Sequence, residues 1–235
     1  VSWTFRKAPK FFDIVTWTGN ATAGRTVSHN LGSVPGMIIV KCTSEAQHWA
    51  VYHRSQGATK YALLSNTDAF STYAGTWNDT EPTSTEITLG VDGWVNRNGR
   101  TYVAYLFAHH ANDGSETGFG PDGDSPVISC GSFTKGDTGV TNFINVDLGF
   151  EVQWLLTKST ASENWDIFDV QRGMSLSQAK PIRPNLSSAE GNFASRYIHP
   201  TSDGFAYQDN NDSTYIFMAV RRGSLFPPEA GDATK

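Results

Sequence analysis

The stretch LGSVPGMIIVK at residues 31–41 decides the fold, because the same step returns at residues 148–158 as LGFEVQWLLTK. Each copy opens with Leu-Gly, runs through an apolar segment and reaches a lysine ten residues after the leucine. Apolar segments this short are typical of buried β-strands. The recurrence indicates that one strand-bearing unit is present twice.

The similarity continues beyond both lysines. After a loop that differs by one residue in length, the segment from Trp49 to Arg54 corresponds to the segment from Trp165 to Arg172. A change of one residue is well tolerated in a surface loop. Later anchors follow in the same order: Asn66 and Ala69 against Asn185 and Ala189, Asp92-Gly93-Trp94 against Asp203-Gly204-Phe205, and Thr101–Ala104 against Thr214–Phe217. We therefore predict an internal duplication.

The pattern predicts an all-β fold with two tandem β-sandwich units of jelly-roll or lectin-like type. Strands are expected at 12–18, 25–29, 36–42, 49–54, 60–66, 84–90 and 101–108, and short helical turns at 175–180 and 187–192. The first unit covers 11–110, a Gly/Asp/Pro-rich linker covers 111–126, and the second unit covers 127–223. One larger sandwich, with both copies contributing to both sheets, is the alternative.

The two ends of the chain suggest a piece of a longer polypeptide. Residues 1–10 contain a segment, Val1–Arg6, that resembles the closing strands of both units, as though it ended a preceding unit. A short strand with a coincidental pattern is the plainer interpretation. The prolines of the C-terminal tail, 224–235, argue against a further strand.

Composition limits the class of partner. The net charge of −5 and the scattered basic residues argue against a nucleic-acid groove. No segment is long and apolar enough to span a bilayer, so we expect no membrane insertion. The cysteines, Cys42 and Cys130, occupy non-equivalent positions; two buried free thiols are favoured over a disulfide between the units.

No catalytic motif stands out, and we expect no enzyme and no cofactor. The sequence lacks a nucleophile elbow, a zinc-protease motif and a phosphate-binding glycine loop. The acidic pairs Asp79 with Glu81 and Asp166 with Asp169 are candidates for glycosidase chemistry, although solvated acids are the simpler interpretation. We expect no metal; Asp122 and Asp124 in the linker are weak calcium candidates, and a turn explains them better.

Carbohydrate binding is the chemistry that the residues favour most. Sugars stack on exposed aromatic rings and form hydrogen bonds with side-chain amides and carboxylates. Trp49 and Trp165 recur and therefore belong to the scaffold. The candidate ligand-binding residues lie instead in polar turns of the first unit: Trp77, Trp94, Tyr73, Asn78, Asn96 and Asn98. The alternative for Trp77 is that it covers the open end of its own sandwich.

Several long motifs resemble a repetitive β-rich region of tail proteins of tailed bacteriophages, common in marine and metagenomic phage sequences. The resemblance covers essentially the whole chain, and the motifs that carry it are Trp3–Pro9, Phe11–Asn20, His29–Lys41, Trp77–Ser84, Tyr102–Ala108 and Tyr215–Arg222. The resemblance implies a virion structural protein, in a tail fibre or another host-facing appendage, and brings no catalytic residues. Residues 143–149 and 191–202 are less typical of it.

We therefore expect a structural component of a virion tail or tail fibre that contacts other virion proteins, forms a homo-oligomer and touches a host surface glycan. A trimer is the expectation for this class of protein. A purely structural spacer or docking module is the alternative, and it predicts a large apolar interface. A surface-polysaccharide depolymerase ranks third.

Overall fold

The computed structural model describes residues 4–110, 126–135, 143–174, 180–187, 197–209 and 212–223. Within these ranges the chain forms antiparallel β-sheets and one helical turn of four residues. The expected all-β fold is confirmed.

The strands before the linker overlap the expected positions, except for a short strand at Ser71–Thr72 that was not expected. They are β1 (Phe12–Thr18), β2 (Arg25–Ser28), β3 (Met37–Cys42), β4 (Trp49–His53), β5 (Lys60–Leu63), β6 (Ser71–Thr72), β7 (Glu86–Leu89) and β8 (Thr101–Phe107); the helical turn α1 (Ala74–Trp77) lies between β6 and β7. Sheet I has the strand order β1-β8-β3-β4-β5-β6, and sheet II consists of β2 and β7. The apolar segment of the opening repeat forms β3, which lies between β8 and β4 and is largely buried on both faces.

The strands after the linker form two further sheets. They are β9 (Ile128–Lys135), β10 (Ile144–Asp147), β11 (Val152–Ser159), β12 (Trp165–Asp169), β13 (Tyr197–Pro200), β14 (Gly204–Gln208) and β15 (Ser213–Arg221). Sheet III has the order β12-β11-β15-β9, and sheet IV has the order β10-β14-β13. No described sheet combines strands from both sides of the linker.

The four sheets stack in the order II, I, III, IV. Ile87 of sheet II and Ile38 of sheet I belong to one hydrophobic core, and this core continues through the other face of sheet I into sheet III, where it includes Met218. A second core lies between sheets III and IV, where Phe205 packs edge-on against Phe217 with ring centroids 5.5 Å apart. The two halves of the chain therefore share a buried interface between sheets I and III.

Hydrogen bonds reinforce the interface between sheets I and III. The Nε2 atom of His53 donates to the Phe217 carbonyl at 3.0 Å, and the indole nitrogen of Trp165 donates to the Leu63 carbonyl at 3.0 Å. The Phe70 amide also donates to the Thr160 carbonyl at 3.0 Å. These donors and acceptors are removed from water. Loss of one of these hydrogen bonds would therefore destabilise the folded protein by the desolvation cost of the polar group left without a partner.

The two large sheets have matching strand orders. The order β4-β3-β8-β1 in sheet I corresponds to β12-β11-β15-β9 in sheet III. Trp49 pairs with Lys41, and Trp165 pairs with Lys158, so the shared anchors occupy the same register. Gly32 and Gly149 both take left-handed conformations, with φ of 74° and 70°. This topology is what a duplication predicts, while common descent of the halves stays a prediction.

The N-terminal segment differs from expectation. Residues 4–7 form no strand; Phe5 packs edge-on against both Phe107 of sheet I and Trp154 of sheet III. Burial of this ring at the rim of the interface sets the path of the segment. The described residues leave out 1–3, 111–125 and the tail from 224. They also leave out most of the helical turns expected at 175–180 and 187–192, of which only residues 180 and 187 are described.

The cysteines are free and buried, as expected. Burial raises the pKa of the Cys130 thiol well above its usual range, which keeps it protonated. In the part of the chain that the structure describes, no helix has the length and apolar character needed to cross a membrane.

Candidate functional site

Trp77 belongs to the core. It ends the helical turn α1, is only 2% exposed, and meets the ring of Tyr52 in a T-shaped contact at 6.0 Å. The expectation that Trp77 lies open to a ligand is wrong, because its ring fills the space between sheet I and sheet II. The alternative considered above, that it covers its own sandwich, describes its position correctly.

Trp94 and Tyr73 lie at the surface and meet through a third ring that the sequence analysis did not identify. Tyr61 of β5 lies 6.1 Å from Tyr73 and 5.1 Å from Trp94, measured between ring centroids. His48 extends the row, with its ring 6.2 Å from that of Trp94. Tyr73 is 42% exposed, His48 is exposed, and Tyr61 and Trp94 are partly exposed. We call these four residues the aromatic strip.

Backbone contacts hold the aromatic strip in place. The ring of Tyr73 lies so close to Gly75 that a Cβ atom there would come within 2.3 Å of the ring. The Asp92 amide donates to the Gly75 carbonyl at 2.9 Å, which joins α1 to the turn that carries Trp94. Within that turn the Asp92 carboxylate accepts a hydrogen bond from the Trp94 amide at 2.7 Å. Rings held in this way need little ordering when a ligand binds.

Carboxylates flank the strip. Asp92 and Asp68 both act electrostatically on the Tyr61 hydroxyl; burial chiefly, and then these two charges, raise the pKa of Tyr61. Asp68 is exposed, and its Oδ2 atom accepts a hydrogen bond from the side-chain amide nitrogen of Asn66 at 2.6 Å. Aromatic faces beside carboxylate acceptors are the groups that orient polyhydroxylated ligands.

The three predicted asparagines have different environments. Asn96 is fully buried, and its amide nitrogen donates to the carbonyls of Thr22 and Gly90 at 3.0 and 2.9 Å. The expectation that Asn96 meets a ligand is therefore wrong, because its amide crosslinks three turns. Asn78 caps α1 in the left-handed region, with φ of 54°, and Asn98 is exposed.

Most of the candidate catalytic acids have structural partners. Asp166 pairs with Arg183 at 2.8 Å, and Asp169 pairs with Arg172 at 2.6 Å, with both acids buried. Glu81 accepts hydrogen bonds from the Tyr52 hydroxyl at 2.6 Å and from the Ala58 amide at 2.7 Å. Asp79 is exposed. Among the described residues no cluster of His, Cys, Asp or Glu could hold a metal ion; Asp122 and Asp124 lie outside them.

A second partly exposed surface lies on the face of sheet I that meets sheet III. The row of Phe12, Phe107, Met37 and His53 is covered, whereas the neighbouring rows remain partly open. We call the uncovered apolar residues the open face; they are Ile14, Ile39, Trp49, Val103 and Tyr105, and Ile14 is 39% exposed.

Comparison with known proteins identifies the family of the chain. No curated protein and no solved structure matches this chain. The model of a family described as a domain of unknown function, DUF7483, matches residues 7–222. Because the match spans most of its length, the chain belongs to the DUF7483 family.

Proposed function

We propose that this protein is a non-catalytic carbohydrate-binding module in the tail or tail fibre of a bacteriophage, where it contacts a glycan on the host surface. The aromatic strip is the observation that carries the proposal. It combines partly exposed rings with nearby carboxylates, and the turn that carries Trp94 is held by a hydrogen bond to Asp92.

The physical case rests on the chemistry of a sugar. A sugar ring presents an apolar C–H face to an aromatic ring and hydroxyl groups at its edges. Tyr73, Tyr61 and Trp94 supply apolar faces, and Asp92 and Asp68 supply acceptors for the hydroxyl groups. The protein would then bind by stacking and hydrogen bonding, without a reaction.

The resemblance of the sequence to phage tail proteins supports a virion as the setting. In that setting the partners are other virion proteins and further copies of this chain, with a trimer as the expected state. The net charge of −5 agrees with a partner other than nucleic acid.

Titration of the purified protein against host surface polysaccharides tests the proposal. The Trp94→Ala variant should lose binding at least about tenfold, the loss that corresponds to about 1.4 kcal/mol. Tyr105→Ala is the matched control, because it removes a partly exposed ring from the open face instead. Equal binding by both variants, or no binding by the intact protein, would contradict the proposal.

A structural docking module is the second candidate, and the open face favours it. Ile14, Tyr105 and Ile39 form a continuous apolar row across three strands of sheet I. If this row docks another copy, light scattering should report an oligomer that Ile14→Asp dissociates. An oligomer that survives this substitution would argue for assembly through another surface.

A further inference from the structure

We propose that the aromatic strip takes uncharged glycan chains and rejects polysaccharides that carry carboxylate, phosphate or sulfate groups. The inference rests on the proposed function and narrows the class of ligand.

The charged groups that act electrostatically on the Tyr61 hydroxyl are both negative. The groups that act electrostatically on the Tyr61 hydroxyl are Asp92, Asp68 and the hydroxyl of Tyr73. An anionic sugar seated on Tyr61 would therefore approach two carboxylates. A pair of like charges at about 4 Å repels by about 1 kcal/mol even in water, and by more where water is partly excluded.

One cation near Asp68 is buried and cannot contact a ligand on the strip. The Lys158 ammonium interacts electrostatically with Asp68, but its residue is 1% exposed. Its Nζ atom donates to the carbonyls of Ser159 and Ala161, both at 2.6 Å. The amine is therefore buried and hydrogen-bonded to its own loop, so it cannot form an ion pair with an acidic sugar on the strip.

The carboxylates also have free acceptor capacity. Asp92 uses Oδ1 for the Trp94 amide, and Asp68 uses Oδ2 for the Asn66 amide. A carboxylate offers about four lone-pair positions, so each acid can accept hydroxyl donors beyond these bonds. Hydroxyl groups of uncharged sugars supply such donors, whereas an acidic substituent supplies further acceptors.

Affinity electrophoresis in native gels at pH 7.5 tests the inference with matched polymers. Mannan, dextran and galactan are each compared with their own carboxymethylated derivative, so that the backbone is constant and only the charge changes. We expect retardation by at least one neutral polymer and about tenfold weaker retention by its carboxymethylated form. High salt should reduce the difference, because screening weakens the repulsion.

The double variant Asp68→Asn/Asp92→Asn should recover most of that tenfold loss toward the carboxymethylated polymer. Asparagine keeps an oxygen for the Trp94 amide, so the turn is preserved. The double variant Asp147→Asn/Asp212→Asn, at two exposed acids of the second half, is the control for net charge because it removes the same two charges.

The outcomes separate the two proposals. Equal or stronger retention by the carboxymethylated polymers would overturn the inference and leave carbohydrate binding in place. Failure of every neutral and acidic polymer to retard the protein would overturn both. An equal effect of Asp147→Asn/Asp212→Asn and of Asp68→Asn/Asp92→Asn would show that net charge, rather than the strip, decides the discrimination, and would overturn the inference.

Discussion

Trp49 and Trp165 open equivalent strands, yet they have different environments. Trp49 pairs with Lys41 at the start of β4 and is partly exposed, with the Lys41 ammonium 5.5 Å from its ring centroid. Trp165 pairs with Lys158 at the start of β12 and is fully buried, and its indole nitrogen donates to Leu63 in the other half. The same strand pairing therefore supports a surface contact in one half and an interface contact in the other.

The paired lysines differ in the same direction. Lys41 is partly exposed and donates to the Gln47 carbonyl at 2.5 Å. Lys158 is buried, and burial lowers its pKa to about 8. Sheet III contacts sheet I at His53 and also at Leu63, which pairs with Ala50 beside Trp49. The difference shows that strand pairing is decided locally, whereas the burial of a side chain depends on whether it faces the other sheet.

The largest expected effect is on Trp165. Trp165→Ala should lower the free energy of unfolding by about 3 to 5 kcal/mol, because it removes a buried ring and one of the two hydrogen bonds that the Leu63 carbonyl accepts. Trp49→Ala should lower the free energy of unfolding by less than half as much, because the Trp49 ring is partly exposed to water in the folded state. Denaturant unfolding measures both. Equal losses would mean that the asymmetry of the interface has no energetic consequence.

The next effect concerns His53, at the interface. Its Nδ1 atom accepts from the Ser55 amide, so Nε2 carries the proton that bonds Phe217, and burial lowers its pKa to about 4. His53→Phe should cost about 1 to 3 kcal/mol, because the Phe217 carbonyl loses its donor. His199→Phe, at a partly exposed site in sheet IV, should change stability by less than about 0.5 kcal/mol.

The pH dependence gives a separate check on His53. Between pH 6.5 and about 4 the unfolded chain binds a proton at this residue and the folded chain does not. Folding stability should therefore fall as the pH falls through this window. The decline should be smaller in His53→Phe. An identical acid transition in the variant would mean that other groups cause it.

The smallest expected effect is on Lys158, at the opposite end of the pH scale. Above pH 8 the folded protein releases the Lys158 proton, whereas the unfolded chain keeps it up to about pH 10.5. Stability relative to Lys158→Met should therefore rise with pH by about 1 to 2 kcal/mol across this window. Lys41→Met is the matched control, and we expect a smaller change. A flat difference for Lys158→Met would show that its amine stays protonated when folded.

The strands of the first half could be predicted closely because each depends on short patterns. Each strand is predicted by alternating apolar and polar residues or by a short apolar run, and turn-forming residues mark its end. The prediction at 12–18 matches β1 at both ends, and those at 36–42 and 49–54 match β3 and β4 within one residue. The prediction of an N-terminal strand was wrong for residues 4–6. Phe5 packs against Phe107 and Trp154 at the interface between the halves, and this contact sets the path of the segment.

The aromatic strip could be predicted only in part. Trp94 and Tyr73 carried a signal, since both are aromatic residues in polar turns of the first half. Tyr61 carried none, because one tyrosine in a strand gives no indication of which face it shares with a distant turn. Trp77 and Asn96 had the same polar surroundings as Trp94 in the sequence, yet both are buried.

The sequence alone was sufficient for the all-β class, the two runs of strands and the recurrence of the Trp and Lys anchors. Those features depend on residues within a few positions of one another or on the periodicity of side chains along a strand. Tertiary structure decided that Trp165 is buried and Trp49 is not, and that Tyr61 joins Trp94 and Tyr73. These outcomes depend on how sheets pack, and such contacts join residues far apart in the chain through non-directional burial of apolar surface.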